Sequence, residues 1–388
     1  MKYQKVTIFL LICSCMLASV PVVFCATQST IYVAGDGTGK YNCDGKDDQV
    51  QINQALEYAA KNPGTKVYLK GRFTYDIRGS CLIGSNTELT GDSTAKLRLA
   101  NRVGWTKAAG GTPVIGQRGG SVHDIKIHGF EIDGNEGAQS GPAGQDLYRL
   151  ISFSGSNSAP VNNIYVYDMN LHDAKGEGFR VTNGKNIYYY HNRGSNLQHT
   201  CVMYSLVKGG EIRDNIARHC SCAADRLDSC QDITIKNEDI SPYSGITTYT
   251  KDSRGYAVSD NGVQIGNIAS SALTKNIVVK NCKIMSGVDG IHLDSLNDGS
   301  NITIDSNVIH DCGYENEKVS RNGGIAISRC GNGITIRKNT ISGYYVAGIN
   351  IDSAISGVHY VTISNNNIIN GKSGSAIKNN VPANVKIK

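Results

Sequence analysis

The stretch NIVVKNCKIMSGVDGIHLDSLNDGSNITIDSNVIHDC, residues 276–312, contains one repeat unit and the opening of the next. Asn276-Ile277-Val278-Val279 opens one unit, and Asn301-Ile302-Thr303-Ile304 opens the following one 25 residues later. Apolar and polar residues alternate within each short run, which is typical of strands with one buried face. Repeats of two or three such strands at this period form solenoids, in which each coil needs neighbours to bury its apolar face. We therefore predict an all-β fold, a parallel β-helix.

The first residues have the pattern of an export signal. Lys2 and Lys5 precede an apolar run from Val6 to Val20. This arrangement predicts a signal peptide over residues 1–25, with an uncleaved anchor helix as the alternative. No other stretch reaches the ~18 apolar residues of a membrane span. We expect an extracellular or cell-surface protein that is free of the membrane after cleavage.

Charge and composition narrow the class of partner. The chain has 39 Lys and Arg against 33 Asp and Glu, and loss of the two signal-peptide lysines leaves 37 against 33. A net charge of about +4 is too small to indicate nucleic-acid binding, although it suits an acidic polysaccharide. The 44 Gly and 7 Pro residues fit a protein rich in turns. The sequence does not decide between a monomer and a homo-oligomer.

Twelve cysteines are present, and three of them lie in the predicted signal peptide. Nine is an odd number, so at least one thiol is free or pairs with another chain. Cys43 and Cys81 are a candidate disulfide. Cys220, Cys222 and Cys230, beside His219, suggest either a metal site or core packing; their spacing matches no common zinc pattern, so we favour the core or disulfides. We expect no cofactor, with a bound calcium ion open but not indicated.

The mature chain is predicted to be one continuous domain. Residues 26–120 are assigned to an N-terminal cap and first coils, and residues 121–388 to regular coils. Asp44 to Asp48 precede apolar residues at helical spacing from Val50 to Leu56, which predicts an amphipathic capping helix. An Asn recurs where coils open, and we interpret it as a turn residue with left-handed backbone angles that stacks in a ladder.

The coils can be aligned on a Gly-apolar-x-apolar strand. This alignment places Glu177-Gly178-Phe179-Arg180 beside His199-Thr200-Cys201-Val202, and Asn261 to Ile265 beside Asp289 to Leu293. Neighbouring coils lie about 4.8 Å apart, so side chains in one column can touch. Acids, bases and arginines concentrate in the middle coils, between residues 149 and 294, and later coils carry Gly, Ala and Ser.

This charged strip supplies the candidate site residues. The candidate catalytic residues are Glu177, His199, Asp225, Asp228, Asp289 and Asp294. The candidate substrate-binding residues are Asp133, Arg149, Arg180, Arg226, Gln264 and His292. Asp133 belongs to a turn beside the long loop from Glu136 to Gly144. No residue is assigned to a metal.

Two reactions fit these residue types. Arginines bind carboxylates in a bidentate way, which suits uronate sugars. Paired carboxylates can act as acid and base in glycoside hydrolysis. A lyase would need a base such as His199 and a cation that neutralises the uronate carboxylate. We favour hydrolase over lyase, and the rival from another class is a non-catalytic surface or adhesion solenoid. The strip would then be an ion-pair ladder.

The mature chain resembles the right-handed parallel β-helix family of carbohydrate-active proteins, the pectate-lyase-like superfamily. The cap from Asp44 to Leu56, the segment Ile132-Asp133-Gly134-Asn135 and the Asn-Ile and Asp-Gly-Ile coils carry this resemblance. In texture it looks closest to the disaggregatases of methanogenic archaea. The resemblance implies a secreted polysaccharide depolymerase. The polygalacturonase motifs Asn-Thr-Asp, Gly-His-Gly and Arg-Ile-Lys are not present, so no catalytic residue is carried over.

Overall fold

The computed structural model is almost entirely β, as predicted. It describes residues 29–105, 112–140, 148–241, 261–266, 273–285, 288–294, 301–313, 323–328, 333–352, 361–372, 374–380 and 385–388. The predicted signal peptide lies outside the described residues. No helix in the described part of the chain combines the length and apolar character that a membrane span requires.

Each complete coil contributes strands to three faces, and all pairings between coils are parallel. First-face strands are Cys81–Ile83, Thr112–Gln117, Tyr148–Ser154, Ala223–Asp228, Asn261–Gly266, Ile291–Asp294, Gly323–Ser328, Ala347–Ile351 and Ser375–Asn379. Second-face strands are Thr30–Ala34, Lys66–Leu69, Glu88–Gly91, His123–His128, Val161–Tyr167, Gln231–Lys236, Lys275–Lys280, Ile302–Asp305, Ile334–Arg337, Val361–Ser364 and Val385–Ile387. Third-face strands are Phe73–Ile77, Ala95–Leu99, Glu131–Asp133, Asn170–Ala174, Arg193–Leu197, Ile216–Cys220, Asp239–Ser241, Lys283–Met285, Val308–His310, Thr340–Ser342 and Asn367–Ile369.

Two long strands turn the corner between the first and second faces. Phe179–Tyr190 and Thr200–Arg213 each contribute to both faces. The two faces therefore join into one 23-stranded sheet, while the third face forms an 11-stranded sheet. The short strand Tyr41–Asn42 pairs with Thr30–Ala34, and a 3-10 turn spans Glu136–Ala138.

Identical apolar positions stack from coil to coil. Ile277 pairs with Ile302, Ile302 with Ile334 and Ile334 with Val361, and all four side chains are buried. One coil cannot enclose these residues, so burial depends on the coils above and below. The repeat in the sequence is thus the source of the continuous core.

One helix packs against the first coils. It spans Gln49–Lys61 and includes the predicted Val50–Leu56 segment. Ile52, Ala55, Leu56 and Ala59 are fully buried. The acidic residues before it do not act only through the helix dipole. Asp48 is buried and accepts hydrogen bonds from the amides of Asp44, Gly45 and Asp76, so it ties the helix start to a third-face strand.

The left-handed turn residues are confirmed. Asn163, Asn186, Asn276 and Asn301 have φ between 42° and 55° at the start of second-face strands. Their side chains form a ladder: Asn186 donates to Asn163 at 3.1 Å, and Asn301 donates to Asn276 at 2.9 Å. Asn tolerates these backbone angles better than most residues, and each amide can serve its neighbour.

The predicted alignment of one coil is wrong by a single residue. Phe179 pairs with Val202 rather than Cys201, so Thr200 follows Glu177 in the first column and Met203 follows Arg180 in the outward column. The residues from Thr200 to Ser205 are all buried and form an apolar run without alternation. Such a run fits either register, and one step moves each side chain to the opposite face.

The predicted disulfide between Cys43 and Cys81 is also wrong. Both thiols are free and buried, and the side chains of Cys220 and Cys230 are buried as well. Burial raises the pKa of the Cys43 thiol to about 12, and nearby Asp48 adds to the rise. These side chains therefore behave as small apolar residues of the core, which the sequence analysis gave as one reading of Cys220 and Cys230.

Candidate functional site

The outward residues of the first face form a column along the solenoid. Register pairs Arg180 with Met203, Met203 with Arg226, Arg226 with Gln264 and Gln264 with His292. Ala326 and Asn350 continue the column. The column predicted from the sequence is therefore present, although Met203 interrupts it and both Met203 and His292 are buried.

Glu177 is the centre of a cationic cluster. Its carboxylate is fully buried and accepts hydrogen bonds from Arg149 Nε at 2.9 Å and Arg180 Nη1 at 3.0 Å. His199 Nδ1 lies 3.2 Å from its Oε1 atom. Burial alone would raise the pKa of Glu177, but His199 and the two arginines outweigh it and lower the pKa to about 2. Glu177 is thus a fixed anion that orients cations, and it is poorly suited to donate a proton.

His199 also shares a hydrogen bond with the Cys222 thiol. Burial would lower the pKa of His199, but its hydrogen bonds with Cys222 and Glu177 raise the pKa to about 10. Arg226 Nη1 lies 3.6 Å from Cys222 Sγ. Burial would raise the pKa of Cys222, yet His199 and Arg226 together lower it. The arrangement favours an imidazolium beside a thiolate.

Arg226 links this thiol to a carboxylate. Its Nε atom donates to Asp228 Oδ2 at 2.9 Å, and Asp228 is 3% exposed. Burial raises the pKa of Asp228, although the charge and hydrogen bond of Arg226 oppose the rise. A buried carboxyl group with a raised pKa has the property that a general acid needs.

Asp228 shares a second column with Asp294. Asp228 pairs with Gly266, Gly266 pairs with Asp294, and Asp294 pairs with Ser328. Two strand spacings separate the two aspartates by about 10 Å between main chains. Because Gly266 has no side chain, a gap separates the two carboxyl groups. A Cβ atom at Gly266 would lie 3.8 Å from Asp228 Oδ1.

On the Asp294 side of this gap, polar side chains from neighbouring coils form a hydrogen-bonded cluster. Ser328 Oγ donates to Asp294 Oδ1 at 3.3 Å, and His292 Nε2 lies 3.0 Å from Ser328 Oγ. Asp289 is buried and accepts the Gly323 amide at 2.9 Å. Its other oxygen lies 3.9 Å from His292 Nδ1. Asp289 therefore supports His292 and the neighbouring coil, whereas Asp294 is the more accessible of the two aspartates.

Asp225 lies inside the solenoid and not on the strip. It pairs with Val202 and Val263 at an inward position, and it is 1% exposed. Burial raises the pKa of Asp225 to about 7. The prediction that Asp225 belongs to the charged strip is therefore wrong, because its side chain points inward between the two valines. An inward side chain cannot touch a substrate on the outer surface.

A second interior acid, Glu238, was missed by sequence reasoning. Glu238 occupies a position where other coils have buried Asn residues, and Asn215 Nδ2 donates to its Oε1 atom at 3.0 Å. Burial raises the pKa of Glu238 well above its ordinary value, and the nearby Asp225 adds to the rise. Two of these buried Asn residues, Asn192 and Asn215, are 23 residues apart, and the same step leads to Glu238, so this spacing would have revealed the position.

Asp133 lies on the third face, away from the strip. It accepts the Asn135 amide at 2.7 Å and pairs with Arg98 at 3.3 Å. Within the described residues, Asp133, His172 and Asp173 are the one set of three potential metal-binding side chains that converge. Asp173 Oδ2 and Glu131 Oε1 each lie within 2.8 Å of a His172 ring nitrogen. Both nitrogens are therefore already engaged, which opposes metal binding.

A groove of about 470 Å³ lies at another corner of the solenoid, between the second and third faces. Phe130, Asp168, His191 and Asp214 are among its lining residues. His191 lies 3.7 Å from Asp168 and 3.6 Å from Asp214. None of the candidate site residues lines this groove. The groove is therefore separate from the charged strip.

The fold is that of the right-handed parallel β-helix proteins. The A-module of a mannuronan C-5 epimerase from Azotobacter vinelandii superposes with a TM-score of 0.67 and 15% identity, over 92% of this chain and all of that one. An endo-xylogalacturonan hydrolase from Aspergillus tubingensis gives 0.66 and 14%, over 93% of this chain and 98% of that one. A surface protein and adhesin of Streptococcus pneumoniae gives 0.53 and 16%, over 88% and 96%.

Comparison of the sequence with known proteins does not assign the chain to a family. No protein-family model matches the chain, and no curated protein matches its sequence. At this level of identity the structural likeness concerns the fold alone, and function has to be argued from the site. The closer likeness to disaggregatases stays a prediction.

Proposed function

We propose that this protein cleaves an acidic polysaccharide by glycoside hydrolysis, with Asp228 as general acid and Asp294 as general base. The observation that supports this most directly is the column in which Gly266 separates these two carboxyl groups. Inverting glycosidases hold their two carboxyl groups about 6.5–9.5 Å apart, which leaves room for a water molecule. Main chains about 10 Å apart are compatible with that separation.

The surroundings of the two carboxyl groups suit these roles. Burial raises the pKa of Asp228, so this carboxyl group can hold a proton for the departing sugar. Asp294 is less buried and accepts a hydrogen bond from Ser328, which orients it for action on a water molecule in the gap. Two carboxyl groups in different surroundings are common among acid–base pairs.

The cations beside this pair favour an acidic chain. Arg149, Arg180, His199 and Arg226 supply four positive charges against the two negative charges of Glu177 and Cys222, while Asp228 carries its proton as the general acid. Arg226 is the most exposed of the three arginines, with 24% of its side chain accessible. Guanidinium groups bind carboxylates well, so we expect Arg226 to contact a uronate next to the cleaved bond. The xylogalacturonan hydrolase and the mannuronan epimerase of like fold act on polysaccharides, which agrees with this proposal.

A lyase reaction is less well supported. His199 was the candidate base, but its pKa of about 10 keeps it protonated near neutral pH. A protonated imidazole cannot remove the proton beside a uronate carboxyl group. An adhesion role is the second candidate, because the ion pairs around Glu177 also serve as a structural ladder and the pneumococcal adhesin has a similar fold.

The proposal is tested by digestion of a panel of uronate-containing polysaccharides with the full chain. We expect reducing ends to increase without the ultraviolet absorbance of an unsaturated uronate, and the new anomeric centre to be inverted by NMR. Asp228→Asn and Asp294→Asn should each lower the rate at least ~100-fold. Asp305→Asn is the matched control, because Asp305 also ends a strand and pairs with an arginine, Arg337, but on the second face. Binding without cleavage would favour the adhesion role.

A further inference from the structure

Cys222 differs from the other cysteines in the described part of the chain. Seven of the eight are buried, whereas Cys222 is partly exposed. It occupies the same position as His199 in the next coil, one residue before the first-face strand, because Thr200 pairs with Ala223. The Cys222 amide donates to the His199 carbonyl at 2.9 Å. The solenoid thus fixes the thiol directly beside the imidazole.

The side chains form an ordered series. Cys222 shares a hydrogen bond with His199, and His199 Nδ1 lies 3.2 Å from Glu177 Oε1. Glu177 is held in turn by Arg149 and Arg180. A nucleophile within hydrogen-bond reach of a base, with a third group that orients the base, is the arrangement of an activated nucleophile. Structural cysteines do not need such a series.

We propose that Cys222, His199 and Glu177 form a second catalytic site, a nucleophilic triad that hydrolyses carboxylic esters through an acyl-thioester on Cys222. Glu177 keeps the imidazole oriented and charged. Arg226 Nη1, 3.6 Å from the sulfur, is the cation placed to stabilise the oxyanion that develops on the ester carbonyl. None of this uses the carboxyl groups of Asp228 and Asp294.

The reaction balances in two steps. The Cys222 thiolate attacks the carbonyl carbon, a C–S bond forms, the C–O bond to the alcohol breaks, and the imidazolium of His199 gives its proton to the departing alkoxide. His199, now neutral, then takes a proton from a water molecule that attacks the thioester. The C–S bond breaks and the carboxylic acid leaves with the hydroxyl group of that water. The thiolate of Cys222 and the imidazolium of His199 are then restored. No oxidant, reductant or metal is required.

The position of the triad indicates which ester it would meet. Arg226 contacts both the Cys222 sulfur and the Asp228 carboxylate, so a chain bound between Asp228 and Asp294 would carry its substituents past Cys222. The substrate class we infer is therefore an O-acyl ester on a sugar chain. That choice of substrate rests on the proposed polysaccharide function, whereas the chemistry of the triad does not.

The first experiment uses 4-nitrophenyl acetate with the full chain. We expect nitrophenol release with turnover, and an acetyl group on the peptide that contains Cys222 when the reaction is quenched early and examined by mass spectrometry. Cys222→Ser should lower the rate at least ~100-fold. Cys220→Ser is the matched control, since it makes the same change at a buried thiol two residues away, and it should keep the rate.

His199→Gln separates a catalytic role from a structural one. We expect acylation to slow, and the pH profile for alkylation of Cys222 by iodoacetamide to move to higher pH, since the thiolate loses its imidazolium partner. Unchanged turnover in Cys222→Ser, acetylation at another residue, or an acetyl-thioester that is never hydrolysed would each overturn the proposal. So would an alkylation profile that does not respond to His199→Gln.

The second experiment follows release of acetate from an acetylated uronate polysaccharide. Cys222→Ser should lower acetate release at least ~100-fold, whereas Cys220→Ser should release acetate at the wild-type rate, because only Cys222 belongs to the triad. Acetate release without any chain cleavage in the wild type would contradict the proposed hydrolase alone. Turnover of the nitrophenyl ester without release from the polysaccharide would overturn the assignment of a sugar ester.

Discussion

Asp228 and Asp294 occupy one column of the first face with only Gly266 between them. Asp228 pairs with Gly266, and Gly266 pairs with Asp294. Every strand in this column contributes one residue, so a side chain at position 266 would fill the space between the two carboxyl groups. The absence of a side chain there leaves the space that the proposed hydrolysis requires for a sugar bond and a water molecule.

Gly266→Ala therefore tests the gap directly. A Cβ atom at this position would lie 2.9 Å from the main-chain oxygen of Asp294, so the backbone beside the proposed base must shift. Because a misplacement of about 1 Å can cost ~100-fold in rate, we expect cleavage to fall by about that factor while binding of the polysaccharide persists. Reducing-end assays and affinity electrophoresis measure the two effects.

Gly120→Ala is the control for that variant. A Cβ atom at Gly120 would meet nothing within 4 Å, so activity and melting temperature should stay as in the wild type. Full activity in Gly266→Ala would contradict the assignment of this gap to the cleaved bond.

The fold could be predicted from the sequence because each repeat has the same alternation of apolar and polar residues and the same kind of turn. The alternation in Ile302-Thr303-Ile304 and the turn at Asn301 predict a strand and its boundary without any knowledge of distant contacts. Whether a side chain points into the core or outward was harder to predict where this alternation fails. Asp225 interrupts an inward apolar column, and nothing local distinguishes a buried acid from an exposed one. Only the stacking of Val202 and Val263 on either side shows where its side chain lies.

Asp225→Val tests whether this buried acid is a cost to the fold. Its folded pKa of about 7 lies above the ordinary value of about 3.9, so the unfolded chain gives up its proton first as pH rises. Stability associated with Asp225 is therefore lost between about pH 4 and 7. Valine matches the neighbours in the column and should raise the free energy of unfolding at neutral pH by about 1–4 kcal/mol.

Urea denaturation of Asp225→Val at several pH values is the measurement. We expect the gain over the wild type to grow between about pH 4 and 7 and polysaccharide cleavage to persist. A variant that is less stable at neutral pH, or one that loses cleavage while it remains folded, would show that Asp225 has a role beyond the core.

The partners of the candidate site could be predicted only in part. Arg180, Arg226 and Glu177 were visible as charged residues at strand positions, and the structure brings them to one surface. Cys222 was assigned to the core because cysteine is a good small apolar residue. Its pairing with His199 depends on the register of the coil from Thr200, which an apolar run leaves undetermined. A one-residue shift in the alignment would have placed the two side chains together.

Glu177→Gln measures the anion at the centre of the cluster. The folded pKa of Glu177, about 2, lies below the ordinary value of about 4.3, so its contribution to stability is complete above about pH 4.3 and is lost as pH falls towards 2. Glutamine leaves the buried cations without their anion, and we expect a loss of about 3–5 kcal/mol at neutral pH. Urea midpoints from about pH 6 to 2 should converge with those of the wild type at the acid end.

Glu57→Gln is the comparison for that series. Glu57 also forms ion pairs, with Lys61 and Arg118, but it is exposed. Exposed pairs contribute little, so this variant should unfold close to the wild-type midpoint. An equally small effect at Glu177 would mean that the cluster does not hold the strip together.

Asn276 belongs to the turn ladder at the start of the second-face strands. Asn276 has φ of 55°, donates to Asp232 Oδ1 at 2.8 Å and accepts from Asn301 at 2.9 Å. Asn276→Ala loses both hydrogen bonds and places an alanine in left-handed geometry, which costs about 1–2 kcal/mol for an ordinary residue. Asn276→Gly loses the same hydrogen bonds but relieves the backbone, so it should be the more stable of the two variants. Thermal and urea unfolding of both variants separate the contribution of the hydrogen bonds from that of the backbone. Equal stability of the two variants would mean that the lost hydrogen bonds of the ladder account for the whole decrease. A lower stability of Asn276→Gly would contradict the role of the backbone angle.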